Sequence, residues 1–156
     1  MGDRSPTGAA RRPGRAVGID LGSRRVGVAV SDSAQTVALP HTTLARSRDA
    51  EKDRRSLVEL IVDLEAAVVV VGLPLSLDGS HGPAAEAATV EADALAAALG
   101  EHGIPVELVD ERLTSVSAHR VLAETGAKER DRRRVVDASA AAVVLTTWLD
   151  AARSRS

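Results

Sequence analysis

The chain contains no cysteine, phenylalanine or tyrosine, and only one tryptophan, Trp148. Without cysteine, disulfides and thiolate metal sites are excluded outright. Without further aromatic rings, a base-stacking platform cannot be built. Any nucleic acid would then be held by its backbone and shape. No apolar run approaches the roughly 18 residues that span a bilayer. The opening MGDRSPTGAARRPGR carries arginines but no apolar stretch, which speaks against a secretory signal. Pro6 also stands where a myristoylation motif wants Ser or Thr. The expected setting is cytoplasmic, with no membrane partner.

What is present fits one ordinary globular domain. The 156 residues are 44% hydrophobic and 27% charged, enough for a single core. The net charge of −2 conceals a segregated pattern. Arg11, Arg12 and Arg15 lie near the start, and Arg24 and Arg25 in the first predicted turn. The segment KERDRRR at 128–134 holds five basic and two acidic residues, a local net of +3. Such patches suit either solvated surface or a polyanion partner.

Hydrophobic periodicity lays out the elements. Residues 1–15, rich in Gly, Pro, Arg and Ser, read as a disordered basic tail. AVGIDL (16–21) and VGVAVSD (26–32) form a hairpin across GSRR, and TVALPHTTL (36–44) a third strand with Pro40 at an edge or bulge. Leu57, Leu60, Ile61 and Leu64 predict a helix from about Asp49 to Glu65. AAVVVVG (66–72) has the uninterrupted apolar character of a strand buried on both faces. After the loop 73–82, Pro83 opens a helix that stops at Gly100. A strand at 105–110, a helix at 115–126 and a last helix from Val135 to Asp150 complete the chain. Three closely linked strands followed by helical crossovers predict an α/β fold, a mixed sheet whose later strands are parallel.

One strand breaks the rules of stability. In VGIDLGSRRVGVAVSD (17–32), Asp20 stands between Gly18 and Gly22. A carboxylate in apolar sequence costs several kcal/mol unless compensated. Alternation puts Gly18, Asp20 and Gly22 on one face, beside the small residues Gly27, Ala29 and Ser31 of the next strand. That strip admits a close visitor, either a helix or a metal with a substrate backbone. Glu111 ends VELVDE, at the carboxyl edge where open α/β sheets place their sites; alone it could be a surface acid. Asp137 shares a predicted helix face with Ala140, Ala141 and Val144, and could instead complement the helix dipole. Gathered together, the three carboxylates would repel unless a cation sat among them. Hard oxygen ligands suit Mg²⁺ or Mn²⁺, and such clusters serve phosphodiester cleavage. The four histidines have no ligand-like spacing.

VGIDLGSRRVGVAVSD, VVVVGLPLSLDGS (68–80), VDERLTS (109–115) and VDASAAAVVL (136–145) fall in order and resemble the YqgF/RuvX family of pre-16S rRNA nucleases, first described as Holliday-junction resolvase-like. The resemblance covers about residues 16–150. It implies an RNase H-like fold, with a five-stranded mixed sheet of order 3-2-1-4-5 flanked by helices. The implied domain is 16–152, leaving 153–156 as a disordered end. It implies that Asp20, Glu111 and Asp137 are the catalytic, metal-holding triad, with Mg²⁺ or Mn²⁺ as cofactor. The implied role is trimming the 5′ end of the 16S rRNA precursor, in ribosome biogenesis. Ser23 stands where the family usually has Thr, and keeps the hydroxyl. Arg24 and Arg112 flank triad members and could hold phosphates, as could Arg132, Arg133 and Arg134; pairing with nearby acids is the plainer reading for Arg24 and Arg112. Expected partners are RNA (pre-16S rRNA) or branched DNA, and a homodimer stays open. The competing readings are a Holliday-junction resolvase, a non-catalytic RNA-binding assembly factor and an actin- or sugar-kinase-like ATPase. The last normally clamps nucleotide between two domains, and this chain has length for one.

Overall fold

The computed structural model describes residues 14–76, 78–112 and 129–154, the last segment with side chains from Ala138 onward. Residues 1–13 of the expected 1–15 tail and the helix expected at 115–126 lie outside these residues, while Arg15 is the first residue of the first strand and not part of a tail. The strands are β1 (Arg15–Leu21), β2 (Arg25–Ser31), β3 (Ala38–Ala45), β4 (Ala66–Leu73) and β5 (Val106–Asp110). The helices are α1 (Ala50–Asp63), α2 (Pro83–Gly100) and α3 (Glu129–Ser154). The strands form one sheet in the order β3-β2-β1-β4-β5. β1–β2 and β2–β3 are antiparallel, while β1–β4 and β4–β5 are parallel. Short links allow the first pairings, and the parallel ones use the α1 and α2 crossovers.

Local chemistry sets the boundaries. Asp49 caps α1, its side chain accepting from the Lys52 backbone N–H. The helix ends where Glu65 turns left-handed at φ 57°. Pro83 sits in the first turn of α2 after the Gly82 cap, where its missing N–H costs nothing. Pro40 lies on the outer strand beside an irregularity between Val28 and Ala29 of β2, which satisfies both conditions for a strand proline. The last helix is longer than its periodicity predicts. It starts at Glu129 and takes in Arg153 and Ser154, so those two do not belong to a disordered end. Arg153 is held there, because its Nη2 donates to the Thr36 carbonyl.

Two cores sandwich the sheet. Val17, Ile19, Val26, Val28, Val69 and Val71 point to α1 and α2, meeting Leu57, Ile61, Leu95 and Leu99. Ala16, Ala29, Val68 and Val70 point the other way, to Ala141, Val144, Leu145 and Leu149 of α3. β4 is therefore covered on both faces, as its composition requires. The strip of small residues on β1 and β2 is where α3 lies. A Cβ on Gly18 would stand 2.7 Å from both the Ala141 carbonyl oxygen and the Leu145 Cβ. No helix among the described residues is long and apolar enough to cross a membrane.

That contact makes Gly18 a stability position. Gly18→Ala should push α3 off the sheet and cost about 1–3 kcal/mol, the usual range for overpacking. Urea melts read the loss, and an unchanged midpoint would show that α3 shifts freely.

Candidate active site

The three parallel strands end at one edge, where open α/β sheets place their chemistry. Gly18 pairs with Val70 and Ile19 with Val71, which brings Asp20 level with Gly72. On the other side of β4, Gly72 pairs with Val109 and Leu73 with Asp110. The Glu111 N–H donates to the Leu73 carbonyl at 3.1 Å, extending the pairing one residue beyond β5. From there the Glu111 side chain crosses β4 above Gly72 and reaches Asp20. Its Cγ lies 3.0 Å from where a Gly72 Cβ would stand, and its Oε1 lies closer still. Val144 of α3 closes the same space, its Cγ2 2.7 Å from that point. Only glycine fits beneath this carboxylate.

The approach has an electrostatic signature. Glu111 is pushed up from 4.5 to about 7, first by burial, then by the Asp20 charge, the hydrogen bond with Asp20 and the Asp110 charge. Two carboxylates that hydrogen-bond must share a proton, and Glu111 keeps it up toward neutrality. Asp110 is pulled the other way. Its carboxylate is held below the usual range mainly by Arg112, whose Nη2 lies 2.7 Å from Oδ2. The Arg112 backbone N–H also donates to Asp110 Oδ1 at 2.9 Å.

The turn after Asp20 is held from outside. The Gly22 N–H donates to the Asp20 carbonyl at 3.1 Å, and a Cβ on Gly22 would stand 2.6 Å from the Arg25 carbonyl oxygen. Arg46, beyond β3, donates from Nε to the Gly22 carbonyl at 2.6 Å. Its guanidinium is fixed in turn by Glu91 of α2 at 3.1 Å. Asp20 thus sits between a paired strand and a clamped turn.

The expected residues fare unequally. Asp20 and Glu111 come together. Asp137 lies in α3 one turn before Ala141, the residue that covers Gly18, and its side chain is outside the described residues. The side chains of Arg132, Arg133 and Arg134, in the first turns of α3, are outside them too. Arg24 is exposed in the β1–β2 turn. Arg112 follows the plainer reading and pairs with Asp110. Among the described residues, no three His, Asp or Glu side chains gather at metal-ligand spacing. Two important residues carry weak sequence signals. Gly72 interrupts VVVV at the point where β4 meets its loop, a break that marks close approach. Arg46 has no local signal, because its partners lie 24 and 45 residues away.

Two measurements follow from this geometry. Gly72→Ala should force Glu111 off Asp20, at a cost of about 1–3 kcal/mol. A carboxyl NMR titration should then find Glu111 closer to its ordinary value, and an unmoved titration would refute the contact. The raised value also fixes a pH dependence. The native state keeps a proton that the unfolded chain releases near 4.5, so stability in EDTA should fall from about pH 4.5 to about 7. Urea midpoints across that window should lose this component of the slope in Glu111→Gln.

The proteins described as "Putative pre-16S rRNA nuclease" include one from Leifsonia xyli subsp. xyli, 47% identical over 93% of this chain and 91% of its own. Another, from Mycobacterium leprae, is 48% identical over 90% of this chain and 75% of its own. Among solved structures, Thermus thermophilus RuvC in complex with a Holliday junction substrate superposes with a TM-score of 0.60 at 17% identity, covering 91% of this chain and 97% of that one. The yeast mitochondrial Holliday junction resolvase gives 0.54 at 11% identity, covering 92% and 80%. These two likenesses establish the RuvC and RNase H-like fold. A family model described as "RuvX: Holliday junction resolvase" matches residues 14–151, and the chain belongs to the RuvX family.

Proposed function

We propose that this chain is a metal-dependent nuclease that processes the 5′ end of pre-16S rRNA, with Asp20, Glu111 and Asp137 as its metal-holding carboxylates. The observation that carries the reading is the Asp20–Glu111 pair, two acids brought into hydrogen-bond contact above Gly72. A binding surface for RNA gains nothing from acids that repel phosphate. A site for a hard divalent cation needs them.

The donor set fits the cation. Both described carboxylates are partly exposed at the sheet edge, and they share a proton that a cation would displace. When bound, Mg²⁺ or Mn²⁺ supplies activation of water and stabilisation of the leaving oxygen of a phosphodiester. The chain contributes position. Asp20 is short and rigid on a paired strand, with its following turn clamped by Arg46. Glu111 is longer and reaches across β4, supported by Val144 and Gly72. Arg24 stands exposed beside this edge, available to a phosphate. The side chains of Arg132, Arg133 and Arg134 would add charge along the first turns of α3.

Branched DNA presents the same phosphodiester, and the description of the family model favours it as a second substrate. Purified protein incubated with pre-16S rRNA, four-way junction DNA and single strands under Mg²⁺ or Mn²⁺ separates the two. Cleavage of the rRNA precursor should stop in EDTA and in Asp20→Asn or Glu111→Gln. Metal should stabilise the wild type by about 2.7 kcal/mol at a hundredfold excess over Kd, and Asp20→Asn by far less. Cleavage that survives EDTA would overturn the proposal.

A further inference from the structure

On the face of the sheet opposite the carboxylates, the ends of β1 and β3 and the start of α1 enclose a cavity of about 330 Å³. Leu21, Leu44, Leu57 and Leu95 form its aliphatic floor. Arg46, Arg48 and Arg54 stand around it beside Asp53 and Glu91. Most of these charges already have partners. Arg46 pairs with Glu91 at 3.1 Å, and Asp53 accepts from the Ser47 hydroxyl at 2.7 Å and the Ser47 N–H at 2.9 Å. Arg48 and Arg54 make no hydrogen bond or ion pair among the described residues. Three guanidinium groups face two carboxylates, a surplus of one positive charge, and Arg48 and Arg54 are the two guanidinium groups without a described partner above the apolar floor. The volume falls in the range of small-ligand sites, about 300–1,000 Å³. The matching ligand has a flat body of low polarity and an anionic head.

The position of the cavity selects among such ligands. Leu21 is part of its floor, and the preceding residue is Asp20, on the opposite face by strand alternation. Cavity and carboxylates therefore open at the same sheet edge, on either side of the β1–β2 turn. A strand leaving the carboxylates across this turn passes the exposed Arg24 before it meets Arg48 and Arg54. The charge along that route is positive, as a phosphate backbone requires.

We propose that the cavity is a second substrate subsite. It takes one unstacked nucleotide of the strand being cut, with the base on the leucine floor and its phosphate on Arg48 and Arg54. This rests on the nuclease reading above. The base is held by burial against leucine and not by ring stacking, a contact beyond the backbone and shape expected from a chain without phenylalanine or tyrosine. Arg46 couples the two sites, because it both lines the cavity and holds the Gly22 carbonyl after Asp20.

The test reads binding without cleavage. The full chain in EDTA is titrated against a fluorescent single-stranded RNA, and against versions in which one abasic position is moved along the strand. The double variant Arg48→Gln with Arg54→Gln should bind about tenfold more weakly. It should also lower the log–log salt slope by about 0.7, the one phosphate contact that the two arginines make together. Arg55→Gln, on the same helix but outside the cavity, should change neither. One abasic position should weaken wild-type binding, and that sensitivity should vanish in the double variant. Equal losses in Arg55→Gln, or the absence of any sensitive abasic position, would overturn the subsite. Failure of the nuclease reading shows instead in the cleavage assay, which this measurement does not use.

Discussion

The contact between Asp20 and Glu111 is the constraint around which the rest is arranged. Burial and a carboxylate this close raise the proton affinity of Glu111 to about 7. The fold brings them together with its strongest elements. Asp20 is carried by a strand paired on both sides. Glu111 leaves the end of β5 with its N–H fixed to Leu73. Between them Gly72 removes the one side chain that would hold them apart. Glycine in a central strand costs stability, and here the cost has a visible purpose.

The small-residue strip on β1 and β2 shows how one sequence feature serves two ends. Near its start it is occupied by α3, whose backbone meets Gly18 closely enough to exclude a methyl group. At its end it opens onto the carboxylates. α3 joins the two regions, because Ala141 packs at Gly18 and Val144 at Gly72 and Glu111. A shift of this helix would therefore be felt in the core and at the acids together. Asp137 belongs to the same helix, one turn before Ala141, which is the physical basis for proposing it as the third ligand.

The arginines divide by what their neighbours demand. Arg112 neutralises Asp110, relieving a third negative charge beside Glu111. Arg46 is consumed by Gly22 and Glu91 and acts on the site only through the turn it clamps. Arg48 and Arg54 have no such demand among the described residues, so their charge is available to a substrate.

The sequence by itself determined the order of the described elements. Apolar periods, a capping Asp49, a helix-opening Pro83 and a doubly buried VVVV run are local signals, and local physics suffices to read them. Asp20 and Glu111 stood out as candidates for the opposite reason, since each breaks a local rule or ends a strand at the carboxyl edge of the sheet. The tertiary structure alone decided which charges would meet. Arg46 reaches Gly22 across 24 residues, and Gly72 matters because Glu111, 39 positions later, lies above it. The length of α3 was also hidden, because its charged first turns carry no apolar stripe. The cavity beside α1 has walls from five separate elements. Such contacts depend on strand register and helix placement, which follow from packing the whole core rather than from any short stretch of chain.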